Sequence, residues 1–413
     1  MLERFADRIR TSLSIIAIIV MALGGLTACA QNTTDNNQTP ITVGASLSLS
    51  GDFGGDGPAM KQGYQLWADT VNKNGGLLGR PVQLVILDDK SDPDQTTKNY
   101  KKLINVDHVN LVFGPFSTLL TKQAAPVAQA AGYALIEGAG GGPSVFENGW
   151  KNLFAVSLPV ANNLTTFANY ILSLPRSMRP KTAAYATSDD PFTEPQLRKA
   201  ELLLVMGGVK TAYDTNPAYD STKITGNAVT PYAERVVQSH ADVVLLGTLL
   251  PEVAAYIHVF KKEHYTPKAI IATAGPDLGQ DFVKAVGGVK STEGVFVPNG
   301  WYPQADNFQN AQMVQDYLAQ YGGTADQINA DVAEAYSVGQ VLEQAVNKIQ
   351  SIDNAKLIAL LHSGVVLNTV QGSVQFDEAG QNSLAIAYLF QWQEGQFLPV
   401  YPSSVAVQNP VLT

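Results

Sequence analysis

Cysteine is almost absent: Cys29 is the only one among 413 residues. No disulfide can form within the chain, which excludes a disulfide-stapled fold. Charged residues are sparse, at 15%, and the formal net charge is −9. A nucleic-acid binder would need clustered Lys and Arg, so a nucleic-acid partner is not expected. Histidine is also scarce. His258 and His264 lie too far apart for two ligands on one helical face, and His108, His240 and His362 are scattered. These histidines are expected at helix ends or on the surface, with no metal site. Nucleotide motifs are missing as well. The stretches 51–57 (GDFGGDG) and 138–143 (GAGGGP) do not fit G-x-G-x-x-G, and 287–292 (GGVKST) lacks the glycine directly before Lys290. No cofactor is expected. The segment 88–94 (DDKSDPD) lacks the glycine and closing glutamate of a calcium loop and reads as a strand end followed by a helix cap.

What is present points to folded α/β structure. Hydrophobic residues make up 45% of the chain, and the mean hydropathy is +0.00. A wholly disordered chain is thereby excluded, and the length suits two domains rather than one core.

The N-terminus reads as an address. Arg4, Arg8 and Arg10 precede an apolar run, Leu13 to Leu26, broken by Ser14, Gly24 and Gly25. A bilayer span takes about 20 residues, so this run fits an export signal better than an anchor helix. It ends Leu26-Thr27-Ala28-Cys29, which resembles the bacterial lipobox. The resemblance implies cleavage after residue 28, a signal peptide over 1–28 and lipidation of Cys29. Polar residues 29–40 then form a flexible tether to the folded part.

From residue 41 strand and helix patterns alternate. Strands are expected at 41–49, 82–89, 110–115 and 133–138, with helices following Pro58, Asp92-Pro93 and Ser117. A second series follows 153–159: helices at 161–174, 195–206, 228–239 and 251–264, and strands at 181–187, 209–213, 241–247 and 268–273. Two amphipathic helices, about 307–321 and 328–349, precede a β tail with a turn at Glu394-Gly395. Such alternation predicts parallel sheets covered by helices on both faces, with ligands beyond the carboxyl ends of the strands.

The order and spacing of particular stretches carry a resemblance. These are 47–93 (LSLSGDFGGDGPAMKQGYQLWADTVNKNGGLLGRPVQLVILDDKSDP), 113–121 (FGPFSTLLT), 247–252 (GTLLPE) and 370–382 (VQGSVQFDEAGQN). Residues 41–400 resemble the branched-chain amino-acid class of periplasmic solute-binding proteins that serve ABC importers. The implied fold is two doubly wound parallel-sheet lobes joined by three crossing segments, the type I periplasmic-binding-protein architecture. Lobe one would hold 41–157 plus 300–370, and lobe two 158–299 plus 371–413. The implied partners are a small solute, permease and ATPase subunits, and a membrane reached through the lipid anchor outside the cytoplasm.

The resemblance also implies site residues. A ligand carboxylate would be held on Phe116, Ser117 and Thr118, where hydroxyls meet free amides at a helix start; a plain helix cap is the alternative for Ser117 and Thr118, and one residue can do both. In the next loop, Ala139 to Pro143, the family's hydroxyl position falls on Gly141, leaving backbone groups alone. From lobe two, aromatic positions fall on Phe192 and Leu249, and an acidic one on Asp277, for which an N-cap before Leu278 is the alternative. Asp56 or Phe53 would complete the first loop. The lost hydroxyls put ordinary leucine or valine specificity in doubt and imply a wider, more apolar pocket for an aromatic acid, an amide or a larger amino acid. Trp301-Tyr302 would stack on ligand or serve as a hinge or core pair. The transport reading competes with a sensor presenting its closed form to a signalling partner, and with a hydrolase using Ser117.

Overall fold

A computed structural model describes residues 39–413. The signal segment, Cys29 and all of the tether before Thr39 lie outside the described residues.

The first sheet has five parallel strands in the order β2-β1-β3-β4-β5. They are β1 (Ile41–Leu47), β2 (Val82–Asp88), β3 (Leu111–Phe113), β4 (Leu135–Glu137) and β5 (Leu153–Ala155). Between them run α1 (Gly57–Lys73), α2 (Pro93–Asn105), α3 (Thr118–Ala131) and the short α4 (Pro143–Phe146). The local signals act as expected. Pro58 sits in the first turn of α1. Asp92 caps α2 by accepting from the Gln95 amide at 2.6 Å, and Gly132 ends α3 in the left-handed conformation.

The second sheet has seven strands in the order β14-β13-β10-β9-β8-β6-β7. Its parallel part is β6 (Thr182–Thr187), β7 (Lys210–Asp214), β8 (Val243–Gly247), β9 (Ala269–Ala272) and β10 (Val295–Asn299). Helices α5 (Thr165–Ser173), α6 (Thr193–Met206), α7 (Thr230–Ser239), α8 (Leu250–Lys262) and α9 (Gln280–Ala285) cover it. The hairpin β13 (Tyr388–Gln393) and β14 (Gln396–Tyr401) adds antiparallel to β10. Its turn is Glu394-Gly395, both at positive φ, as a two-residue hairpin requires.

Between the sheets in sequence lie α10 (Asn310–Tyr321), α11 (Ala330–Ile349), α12 (Asn354–Leu361) and the small hairpin β11 (Leu367–Thr369) and β12 (Gly372–Val374). These pack on the first sheet: Val332, Tyr336, Leu357 and Leu367 share its core with Trp67 and Phe113. Helices α1 and α11 touch at backbone distance, since a Cβ on Gly63 would lie 2.3 Å from the Val332 carbonyl oxygen.

The chain therefore crosses between the sheets three times, after β5, after β10 and before β13. Asn382 ties two crossings together, its Nδ2 donating to Val156 O at 2.7 Å. Val374 and Phe376, beyond the boundary drawn at 370, belong to the first core. Sequence patterning missed α9, β10 and α12; all are short, and Pro298 interrupts the strand signal of β10. The helix expected from 161 begins at Thr165, after a 3-10 turn at Val160–Asn162.

Candidate functional site

The loops after β1, β3 and β4 in one sheet, and after β6, β8 and β9 in the other, leave the carboxyl ends of parallel strands. That is where ligands of such sheets bind. The loop after β3 is clamped from below. Tyr64 Oη donates to Gly114 O at 3.1 Å and Tyr100 Oη to Phe113 O at 2.6 Å. Ser117 follows with φ 76 and ψ 149, backbone nearly reserved for glycine, which costs a serine about 1–3 kcal/mol. Its Oγ accepts a long bond, 3.4 Å, from the Leu120 amide, so the cap reading holds. Thr118 is fully buried. Phe116 packs on Phe53 with ring centroids 5.6 Å apart.

The loop after β4 folds onto these hydroxyls. The Gly142 amide donates to Thr118 Oγ1 at 3.1 Å, and the Gly140 amide donates to Glu137 Oε2. A Cβ on Gly142 would lie 2.3 Å from Thr118 Cγ2 and 2.8 Å from the carbonyl oxygen of Pro191. No side chain fits there, and the two lobes meet at that point. Gly141 and Ala139 lie on the same loop, Gly141 buried and Ala139 half-buried against the first core.

From the second lobe, Phe192 immediately precedes α6, half-buried, its amide donating to Asp190 Oδ1 at 2.9 Å. Leu249 is the extended residue before α8. Asp277 lies in a 3-10 turn, Pro276–Leu278, and its Oδ1 accepts from the Gly275 amide at 2.8 Å. It binds backward along its own loop and does not cap a helix at Leu278.

Asp277 lies within electrostatic range of other acids. Burial first, and then the Asp277 charge, push Asp56 up to about 7, offset in part by a hydrogen bond with Asp331. Burial lifts Asp331 well above the usual carboxylate range, helped by Asp56, Glu334 and Asp277. Burial lifts Glu334 likewise, followed by the charges of Glu137 and Asp277. Glu137, fully buried, is pushed up to about 8 by burial, with the Gly140 and Ala139 amides opposing.

The sequence profile of a periplasmic binding protein family matches residues 40–396. The chain belongs to the periplasmic binding protein family. A Leu/Ile/Val-binding protein homolog of Brucella melitensis is 24% identical, over 96% of this chain and 98% of its own length. The Leu/Ile/Val-binding protein BraC3 of Rhizobium johnstonii is 22% identical, over 87% of this chain and 93% of its own. Among solved structures, the branched-chain amino acid binding protein LivJ of Streptococcus pneumoniae, in complex with isoleucine, superposes with a TM-score of 0.74. It shares 17% identity, over 87% of this chain and 98% of that one. A solute binding protein of R. palustris in complex with benzoate gives 0.73 at 16% identity, over 91% and 99%. These likenesses establish the type I periplasmic-binding-protein fold.

Within this periplasmic binding protein, sequence reasoning brought Ser117, Thr118, Phe116 and Gly141 to neighbouring loops of lobe one, and Asp56 and Asp277 into mutual electrostatic range. It did not single out Glu137, Asp331 and Glu334, whose carboxyls burial raises most clearly. One signal was available. Glu137 ends an otherwise apolar buried strand, and Glu334 interrupts the apolar run Val332-Ala333…Ala335-Tyr336 on α11. Trp301 is a core residue: it is 2% exposed and its Nε1 donates to Asn310 Oδ1 at 2.6 Å. Tyr302 stacks edge-on against Tyr388. The histidines sit as expected, with His240 and His362 at helix C-caps and His258 exposed on α8.

Proposed function

We propose that this protein is an extracytoplasmic solute-binding lipoprotein of an ABC importer. It closes its lobes on an amino acid or related small carboxylate or amide and passes it, chemically unchanged, to permease and ATPase subunits. The observation that carries this reading is the meeting of Gly142 and the Pro191 carbonyl at the carboxyl edges of both sheets. Closure across that junction is a hinge motion about the three crossings. The relatives described as binding isoleucine and benzoate support a small solute of this kind. No helix among the described residues is long and apolar enough to cross a membrane; attachment is assigned to lipid on Cys29. Ser117 serves as helix cap and solute contact rather than as a nucleophile.

A thermal-shift screen over amino acids, aromatic acids and amides tests the reading, because a solute bound only by the folded state raises Tm. The expected result is a rise in Tm with one class, contraction in small-angle scattering, and solute recovered intact. Conversion of the solute, or binding without contraction, would overturn it. Replacing Cys29 by serine is expected to release the protein from the membrane fraction, and continued retention would contradict the anchor.

A further inference from the structure

We propose that the free edge of β2 pairs with the same strand of a second copy of this chain, antiparallel about a two-fold axis at Val85, so that the first sheets of two chains join into one. This pairing involves lobe one alone and is independent of what the cleft binds.

β2 ends the first sheet. It pairs with β1 in unbroken register over all seven of its residues, without a bulge. Two bonds bracket this ladder and fix which backbone groups point outward. The Ile41 amide donates to Pro81 O at 2.7 Å, and the Asp89 amide donates to Leu47 O at 3.1 Å. A parallel ladder uses alternate residues of each strand. The odd-numbered residues of β2 therefore bond β1, and the even-numbered ones face away. Side-chain bonds agree. Asn72 takes both groups of Val82, its Nδ2 donating to the carbonyl at 2.9 Å and its Oδ1 accepting from the amide at 2.7 Å. Asn99 Nδ2 donates to Asp88 O at 3.0 Å. Asparagines thus close both ends of the edge. Between them Leu84 and Ile86 present two amides and two carbonyls that no group among the described residues takes.

Such an edge is a template for a further strand, and proteins usually blunt it with lysine, proline or a bulge. Val82 to Leu87 holds no charged residue and no proline. Leu84, Val85, Ile86 and Leu87 are all half-buried. The open stretch is short and symmetric about Val85, and that symmetry selects the occupant. In an antiparallel pair centred on Val85, Leu84 meets Ile86 of the second copy as a hydrogen-bonded pair, and Ile86 meets Leu84 likewise. Every free amide of these residues then finds a free carbonyl. Val85 meets its own counterpart as the closer, non-bonded pair. Leu84 and Ile86 lie toward one core and Val85 toward the other, so both faces of the junction are apolar and cross-strand packing supports it. A longer foreign strand would have to displace the Asn72 and Asn99 side chains. The contact is isologous and closes at two copies.

The experiment uses the full chain carrying Cys29→Ser, which then has no thiol of its own. Sedimentation velocity between about 1 and 100 µM is expected to show a concentration-dependent dimer. Val85→Cys puts one thiol on the axis, where facing Cα atoms stand about 4.5 Å apart, within disulfide reach. Mild oxidation should link about half of this variant or more into dimer. Gln83→Cys sets the two thiols four residues apart along the strands, roughly 13 Å, and should link under about a tenth. Ile86→Pro removes an outward amide and no bond to β1, so it should keep its Tm and associate about tenfold more weakly or worse. A monomer throughout the range, equal linking of the two cysteine variants, or a dimer that Ile86→Pro leaves intact would each overturn the proposal. If Ile86→Pro fails to fold, the contrast between Val85→Cys and Gln83→Cys decides alone. Linking of Val85→Cys to a different protein of the producing cell, and not to itself, would give the edge to that partner and overturn the self-pairing.

Discussion

The Gly142 amide donates to Thr118 Oγ1 across 3.1 Å, so the loop after β4 hangs from the first residue of α3. The hydroxyl assigned by resemblance to a solute thus also fixes the wall of the site. Thr118→Val should leave a buried amide unpaired and cost about 1–3 kcal/mol in urea unfolding. Thr118→Ser keeps the acceptor and should lose under half of that. Equal losses would mean that the methyl group, rather than the bond, holds the loop.

Ser117 combines backbone strain with the proposed solute contact. Its backbone, φ 76 and ψ 149, suits glycine. Ser117→Gly is expected to stabilise the ligand-free protein by about 1 kcal/mol through relief of strain. Ser117→Ala keeps the strain and should weaken solute binding by about 1–3 kcal/mol. Unchanged affinity in both variants by calorimetry would remove Ser117 from the site.

Glu137 and Asp56 make stability depend on pH in a definite direction. Burial raises Glu137 to about 8, beside Tyr64 and Glu334. Burial and then Asp277 raise Asp56 to about 7, with Asp331 and Glu334 also near. In the unfolded chain both titrate near ~4. The folded state keeps its protons longer, so this stabilisation is complete below about pH 4 and is lost as pH rises toward 7–8. The ligand-free Tm should fall from pH 5 to pH 8, with a shallower slope in Glu137→Gln and Asp56→Asn. Identical slopes in wild type and both variants would contradict the assignment.

Asn382 joins the crossings. Besides donating to Val156 O, its Oδ1 accepts from the amides of Gln375 and Leu384 at 3.2 and 3.0 Å. Asn382→Leu should destabilise the protein by about 2–4 kcal/mol, since the buried Val156 carbonyl and two part-buried amides lose a partner. Guanidinium unfolding would measure it, and a loss below about 0.5 kcal/mol would show that the crossings do not rely on this residue.

Much of the fold could be read from local signals. Asp92-Pro93 marked the start of α2 because a carboxylate oxygen and a missing N–H both suit a helix N-terminus. Glu394-Gly395 marked the terminal hairpin because both positions need positive φ. The site was readable only in part. Asp277 carries no mark that separates a solute-facing acid from a helix cap; its bond to the Gly275 amide shows only that it is not the cap before Leu278. Glu334 resembled an ordinary charged residue near a helix start, where acids are favoured by the dipole.

By itself, the sequence determined the alternation of strands and helices, their order, and membership in the periplasmic binding protein family. Those depend on neighbours within a few residues or on motif order along the chain. Tertiary structure alone decided that Asp56, Glu137, Asp277, Asp331 and Glu334, from distant positions, come within electrostatic range of one another and are raised by burial. Burial and Coulomb interaction act through space, and only folding brings those carboxylates within range of one another.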